Sequence, residues 1–308
     1  MKKKGRLIGQ VAWVFFLAFF CGRPVFSQTL KGIVEKRSFM GPVTKRLVEF
    51  SIYLPEGYYS GGERYPVIYH LHGLGGSHEG NHTKLVPANF ERAREMGIIG
   101  PVIVVFPNGY KDSFWADSWD MSKPAETNIV AELIPYVDAN FRTLGSPKFR
   151  AIQGFSMGGF GAAKFITKFP ELFIAAIVYD GALLDWTGLS FSQFLIASTI
   201  FKNDEAYFNQ FSPWYQSKVN QAKLQVRLRI RMVVGALVFY NREFFSFLAN
   251  LSIPVDYIET PCLHDLNCLL NAEGLGSASF LAGCFGQASL FEDNRRYPGS
   301  NTDKYKDK

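Results

Sequence analysis

The chain runs to 308 residues, enough to bury one sizeable core, and its 47% apolar and 19% charged side chains exclude a disordered polymer. The formal net charge of +6 is uneven: Lys2, Lys3, Lys4, Arg6 and Arg23 fall within the first 27 residues, which contain no acid, leaving 28 basic against 27 acidic side chains beyond them. That near-neutral remainder offers no basic stripe for phosphate, so nucleic acid is excluded as an expected partner.

Taken in chain order, residues 1–27 have the layout of a cleaved export signal. A charged start, MKKKGR, precedes an apolar run from Val11 to Phe20 and a small-residue ending, Val25-Phe26-Ser27, with cleavage expected before Gln28. The apolar run falls short of the ~20 residues that span a bilayer, so no stable membrane insertion is expected after cleavage. The expected localisation is secreted or periplasmic. Residues 28–291 read as one domain without internal repeats, and residues 292–308, ending NTDKYKDK, as a polar, disordered tail.

Within the domain, Leu47–Leu54 alternates like a half-exposed strand and stops at Pro55. Tyr65–Leu71, Val102–Phe106, Phe149–Gln153, Ile174–Tyr179 and Ile230–Val234 are short apolar runs suited to strands buried on both faces, and Ile253–Glu259 is one more. The spacing predicts helices over 83–96, 126–142, 157–169, 239–250 and 266–282. In the second of these, Ile129, Leu133, Ile134, Val137 and Phe141 form an apolar stripe. This alternation predicts an α/β three-layer fold with a mostly parallel central sheet. The stretch from Asp180 to Leu224 is long and rich in aromatic residues, and reads either as a lid over a pocket or as an ordinary helical insertion.

Gly154-Phe155-Ser156-Met157-Gly158 lies between a predicted buried strand and a predicted helix. A sharp turn there lifts a serine hydroxyl above the sheet, and flanking glycines relieve its crowding. Ser156 is therefore the candidate nucleophile, and the Met157 N–H at the helix start a candidate oxyanion donor. The glycine-rich HLHGLGGS segment (70–77) closes an earlier strand and can aim the Leu74 N–H at the same point; otherwise it is a turn with two structural histidines. Of the five histidines, only His264 follows Ser156, just after the last predicted strand, which makes it the candidate base. The acid is harder to find. Gly235 to Asn241, after the strand Ile230–Val234, contains no carboxylate. Asp180, at the end of the strand following the serine helix, is the expected substitute, ahead of Asp256, Glu259, Glu243 and Asp265.

Three cysteines lie beyond the export signal. A Cys262–Cys268 bridge would brace the loop that carries His264, the alternative being three free and mostly buried thiols. There is no paired CxxC and no HExxH, so neither a metal nor another cofactor is expected.

These residues together resemble the esterase D and antigen 85-like esterases, a family with feruloyl and acetylxylan esterases, S-formylglutathione hydrolases and mycolyltransferases. The resemblance rests on HLHGLGGS (70–77), VIVVFPNGY (102–110), QGFSMGGFGA (153–162) and HDLNCLLNAEG (264–274), with IRMVVG and NREF between the last two. It implies an α/β-hydrolase fold, with Ser156, His264 and the Leu74 and Met157 amides in the roles given above. It transfers no acid, because such proteins usually carry an Asp a few residues after the glycine equivalent to Gly235. The expected activity is carboxylic ester hydrolysis through an acyl-enzyme, on a small-molecule or sugar-linked ester. An acyltransferase on the same scaffold and an exported binding protein without catalysis are the alternatives.

Overall fold

The computed structural model describes residues 29–286 apart from residue 228. The expected export signal and the polar tail lie outside the described residues. Eight strands form one sheet: β1 (Ile33–Met40), β2 (Leu47–Leu54), β3 (Val67–Leu71), β4 (Ile103–Pro107), β5 (Arg150–Phe155), β6 (Ala175–Tyr179), β7 (Arg229–Val234) and β8 (Val255–Glu259). Their spatial order is β1-β2-β4-β3-β5-β6-β7-β8. β2 runs antiparallel to both β1 and β4, and every pair from β4 across to β8 is parallel. This is the mostly parallel α/β sheet that the alternation of elements predicts. From β3 the chain crosses one way to β4 and then the other way to β5, so a topological switch point lies at the carboxyl ends of β3 and β5.

The buried runs explain the strands. VIYHL, IVVFP and AAIVY are wholly buried, and β-branched and aromatic side chains pack well on both faces of such a sheet. One face is covered by α1 (His82–Glu95) and the carboxy-terminal helix α11 (Leu266–Cys284). Their core includes Val86, Phe90, Leu269, Leu281 and, from the sheet, Ile68 and Val104. The other face is covered from chain start to end by α2 (Ala125–Thr127), α3 (Ile134–Asn140), α4 (Met157–Lys168), the helices α5 to α9 between β6 and β7, and α10 (Val238–Asn250). Those five are short: Trp186–Ser192, Phe194–Thr199, Glu205–Asn209, Pro213–Val219 and Gln221–Arg227. Among the described residues no helix is long and apolar enough to cross a membrane.

Three local departures from the sequence reading have physical causes. β1 escapes notice because Glu35, Lys36 and Arg37 occupy its middle, which suits an exposed sheet edge but hides any apolar run. β2 is more buried than its alternation implies. Its second face lies under α1, and the Tyr53 hydroxyl donates to Glu91 Oε1 at 2.9 Å. The helix expected over 126–142 comes as three pieces, with a π-helical stretch at Asn128–Leu133 between α2 and α3. Pro135, at the start of α3, has no N–H with which to continue a regular ladder.

Candidate active site

β5 ends in the turn that carries Ser156. The serine sits at φ 59° and ψ −117°, a region disfavoured for a residue with a side chain and costing about 1–3 kcal/mol. The turn is held from both sides: the Ser156 N–H donates to Tyr179 O at 3.0 Å, and its carbonyl accepts the Ala182 N–H at 2.9 Å. Two glycines make the turn possible. A Cβ on Gly154 would lie 2.1 Å from Gly158 O, and one on Gly158 would lie 2.0 Å from Leu71 O. Met157 opens α4, so its N–H belongs to the first helical turn, where amides have no carbonyl partner one turn back.

His264 arrives from the opposite end of the chain, on the loop between β8 and α11. Cys262 and Cys268 bridge across it with Cα atoms 5.7 Å apart. Asp265 caps α11 by accepting the Cys268 N–H at 2.7 Å. The imidazole stacks on Phe155, ring centroids 4.5 Å apart. Its Nε2 lies 2.9 Å from Ser156 Oγ and its Nδ1 lies 2.6 Å from Asp180 Oδ2. A ring that accepts the serine proton at Nε2 carries its own proton on Nδ1, where the carboxylate receives it.

Asp180 is fully buried at the end of β6, with φ at 43°. Its second oxygen, Oδ1, accepts the N–H groups of Gly235 and Leu237, each at 2.9 Å. The loop after β7, which has no carboxylate of its own, thus serves as an amide cradle for the carboxylate of its neighbour. The other carboxylates are engaged elsewhere or lie out on the surface. Asp256 pairs with Arg231, Glu259 takes the Arg242 guanidinium on two oxygens at 2.7 and 2.8 Å, and Asp265 is the α11 cap. Glu243 is exposed on α10.

The turn after β3 closes against the serine: a Cβ on Gly73 would lie 3.3 Å from Ser156 Cβ. Leu74 follows Gly73 directly and is 50% exposed. His72 anchors this turn. Its Nδ1 is 2.9 Å from Gly73 O and its Nε2 accepts the Gly109 N–H at 3.1 Å, a pair of roles open only to a neutral ring. Burial pushes its pKa down to about 4, and does the same to His82. His70, buried beside Gln153, is driven well below the usual histidine range for the same reason. His70, His72 and His82 thus serve the packing behind the turn, and His264 is the histidine that contacts the serine.

Two arrangements give no signal in the sequence. Lys164 on α4 is wholly buried, where its ammonium contacts Trp115 O and lies 2.9 Å from Glu126 Oε2, and burial lowers its pKa to about 8. It ties the serine helix to the loop of residues 113–119, whose two tryptophans part company: Trp115 is core and Trp119 is 47% exposed. The Trp119 N–H donates to Ile200 O at 2.9 Å, and the Lys202 ammonium lies 4.8 Å from the centre of its ring. The helices after β6 therefore meet this loop at the same end of the sheet as Ser156. The second arrangement is Asn241, at zero exposure behind Asp180.

Comparison with known proteins agrees with this architecture. Residues 41–243 match the family model described as Putative esterase, a span that includes Ser156 and Asp180 and stops before His264. Esterase Rv1288 of Mycobacterium tuberculosis is 35% identical over 134 residues, covering 42% of this chain and 28% of that protein. An endo-1,4-beta-xylanase/feruloyl esterase of Xylanibacter ruminicola is 31% identical over 152 residues, covering 46% of this chain and 20% of its own. The chain thus spans less than a third of the curated relatives it matches. Among solved structures, a ferulic acid esterase superposes with a TM-score of 0.70 at 20% identity, covering 84% of this chain and all of that one. An S-formylglutathione hydrolase from Agrobacterium tumefaciens gives 0.69 at 16% identity, covering 84% and 98%. At such identities these two likenesses concern the fold, which is that of the α/β-hydrolases.

Proposed function

The chain belongs to the Putative esterase family, and from that premise we propose that it is an exported carboxylic ester hydrolase acting through Ser156, His264 and Asp180. The observation that carries this reading is the unbroken line of contacts from Ser156 Oγ through the imidazole to a buried carboxylate, 2.9 and 2.6 Å long. In such a line the serine oxygen attacks the ester carbonyl carbon as its proton passes to His264 Nε2. The oxyanion forms beside the Leu74 and Met157 amides, which offer it hydrogen bonds in a fixed direction. Collapse breaks the bond to the alkoxy group, which leaves as an alcohol with the proton from Nε2. Water then attacks the acyl-serine, giving one proton to Nε2, and collapse releases the acid and restores the serine hydroxyl. Asp180 keeps its charge throughout and steadies the imidazolium.

The names of two relatives, a feruloyl esterase and a ferulic acid esterase, together with exposed Trp119 near the reactive end of the sheet, favour an aromatic or sugar-linked ester. Export is favoured by the layout of residues 1–27 and by a disulfide on the base loop, a bond that persists in oxidising compartments. The contact of Asp180 with His264 favours catalysis over the alternative of a binding protein that has lost its acid.

Incubation with a fluorophosphonate followed by peptide mass spectrometry is expected to find the label on Ser156. A panel of p-nitrophenyl esters, with and without a competing sugar alcohol, would then give the acyl preference and separate hydrolysis from acyl transfer. No labelling of Ser156 in folded protein, together with no turnover of any ester, would overturn the reading. Mass spectrometry of protein recovered outside the cytoplasm is expected to find a chain starting near Gln28, and an intact chain from Met1 in the membrane fraction would reject export.

A further inference from the structure

Asn241 is a polar side chain with no solvent exposure, placed behind the acid rather than beside the serine. All three of its side-chain hydrogen bonds go to backbone. Its Oδ1 accepts the Gly181 N–H at 3.2 Å, and its Nδ2 donates to Gly181 O at 2.9 Å and to Leu237 O at 2.8 Å. Gly181 follows the acid directly, and Leu237 is one of the two residues whose N–H groups hold Asp180 Oδ1. One side chain therefore pins both strand ends from which the acid is built.

Those ends need pinning. Asp180 has a left-handed backbone at φ 43°, a conformation that persists in a residue with a side chain only when its surroundings impose it. The loop from Gly235 to Leu237 is short and carries no charge to draw it to the carboxylate, so its amides aim correctly only if the loop itself is fixed. A buried amide with both its oxygen and its nitrogen satisfied is a rigid clamp, because any displacement leaves a buried polar group unpaired.

We propose that Asn241 is the positioning residue for the triad acid, setting the orientation of Asp180 toward His264 Nδ1 by tying the Asp180–Gly181 turn to the Gly235–Leu237 cradle. It touches neither substrate nor imidazole and acts only through Asp180. The inference rests on the reading of Asp180 as the acid, and the test separates the two.

Asn241→Leu keeps the volume and removes all three bonds. In folded protein, kcat toward a p-nitrophenyl ester is expected to fall about 10- to 100-fold, the scale on which misplacement of a reacting group by about 1 Å acts. KM should stay within twofold of the parent. The low-field proton resonance of the His264 Nδ1–H that is expected in the parent should broaden or disappear. Phe244→Leu, in the core one turn along the same helix, is the control for simple weakening of α10 and should leave both kcat and the resonance unchanged. If Asn241→Leu does not fold, Asn241→Ala is measured per active site titrated. A folded Asn241 variant with kcat within twofold of the parent, or with the resonance intact despite lower kcat, would overturn the proposal. If Asp180→Asn itself keeps full activity, the failure lies with the acid and not with the clamp.

Discussion

At the end of β6 the chain turns through Asp180 in a left-handed conformation and presents a buried carboxylate to His264. One strand over, at the end of β7, it passes through Gly235, Ala236 and Leu237, presents no carboxylate, and turns two N–H groups back toward β6. The two ends lie side by side on adjacent parallel strands, yet one supplies the charge and the other supports it. A triad is defined by where its groups meet, so the acid can come from either strand provided the imidazole reaches it and its second oxygen is satisfied. Moving the carboxylate one strand places its donors on the strand it left.

The largest test of this picture removes the groups that both strand ends serve. Ser156→Ala and His264→Ala are each expected to lower kcat about 10⁴-fold or more, and the double variant little further, because the three groups act as one unit. Full activity in either single variant would sink the assignment. Next, Asp180→Asn should keep the fold and lower kcat by about 10²- to 10⁴-fold, since the amide still fills the cradle but no longer fixes or charges the imidazole. A smaller effect sharpens the contrast. Adding Val238→Asp, at the first position of α10, to Asp180→Asn puts a carboxylate back after β7, where the helix end favours an anion. Recovery is expected to stay within about 10-fold of the Asp180→Asn level, because the Gly235 and Leu237 amides face position 180; recovery to parental rates would show the two ends to be interchangeable. The smallest effect belongs to the strand beyond. Glu259→Gln breaks an exposed pair with Arg242 and should cost at most about 1 kcal/mol in denaturant unfolding, with kcat within twofold of the parent.

Much of this was legible from sequence, for reasons that differ by residue. The turn at Ser156 is readable because a strained turn demands glycines at fixed offsets, and its contact with His264 because only one histidine follows the serine. Asp180 was reached by elimination, since a loop without a carboxylate is visible in one dimension while the amides that replace it are not. Asn241 left no trace, as its three partners are backbone atoms separated from it by up to 60 residues and any residue type could have supplied them. The paired Lys164 and Glu126 escaped for a similar cause: 38 residues apart, each reads as an ordinary surface charge until the helix and the loop are packed together. The edge strand β1 was missed because strand recognition relies on burial, and an edge has little.

The bridge between Cys262 and Cys268 bears on how freely His264 can move. It closes a loop of only a few residues, and His264 lies inside that loop. Where thiols are kept reduced, as in a cytoplasm, the same segment is tethered by hydrogen bonds and packing alone, and its imidazole has more conformations to lose before it meets both the serine and the carboxylate. Oxidation removes that freedom in one covalent step. On the reading of an exported hydrolase proposed above, a chain made in a reducing compartment would gain that order at His264 only after delivery to an oxidising one.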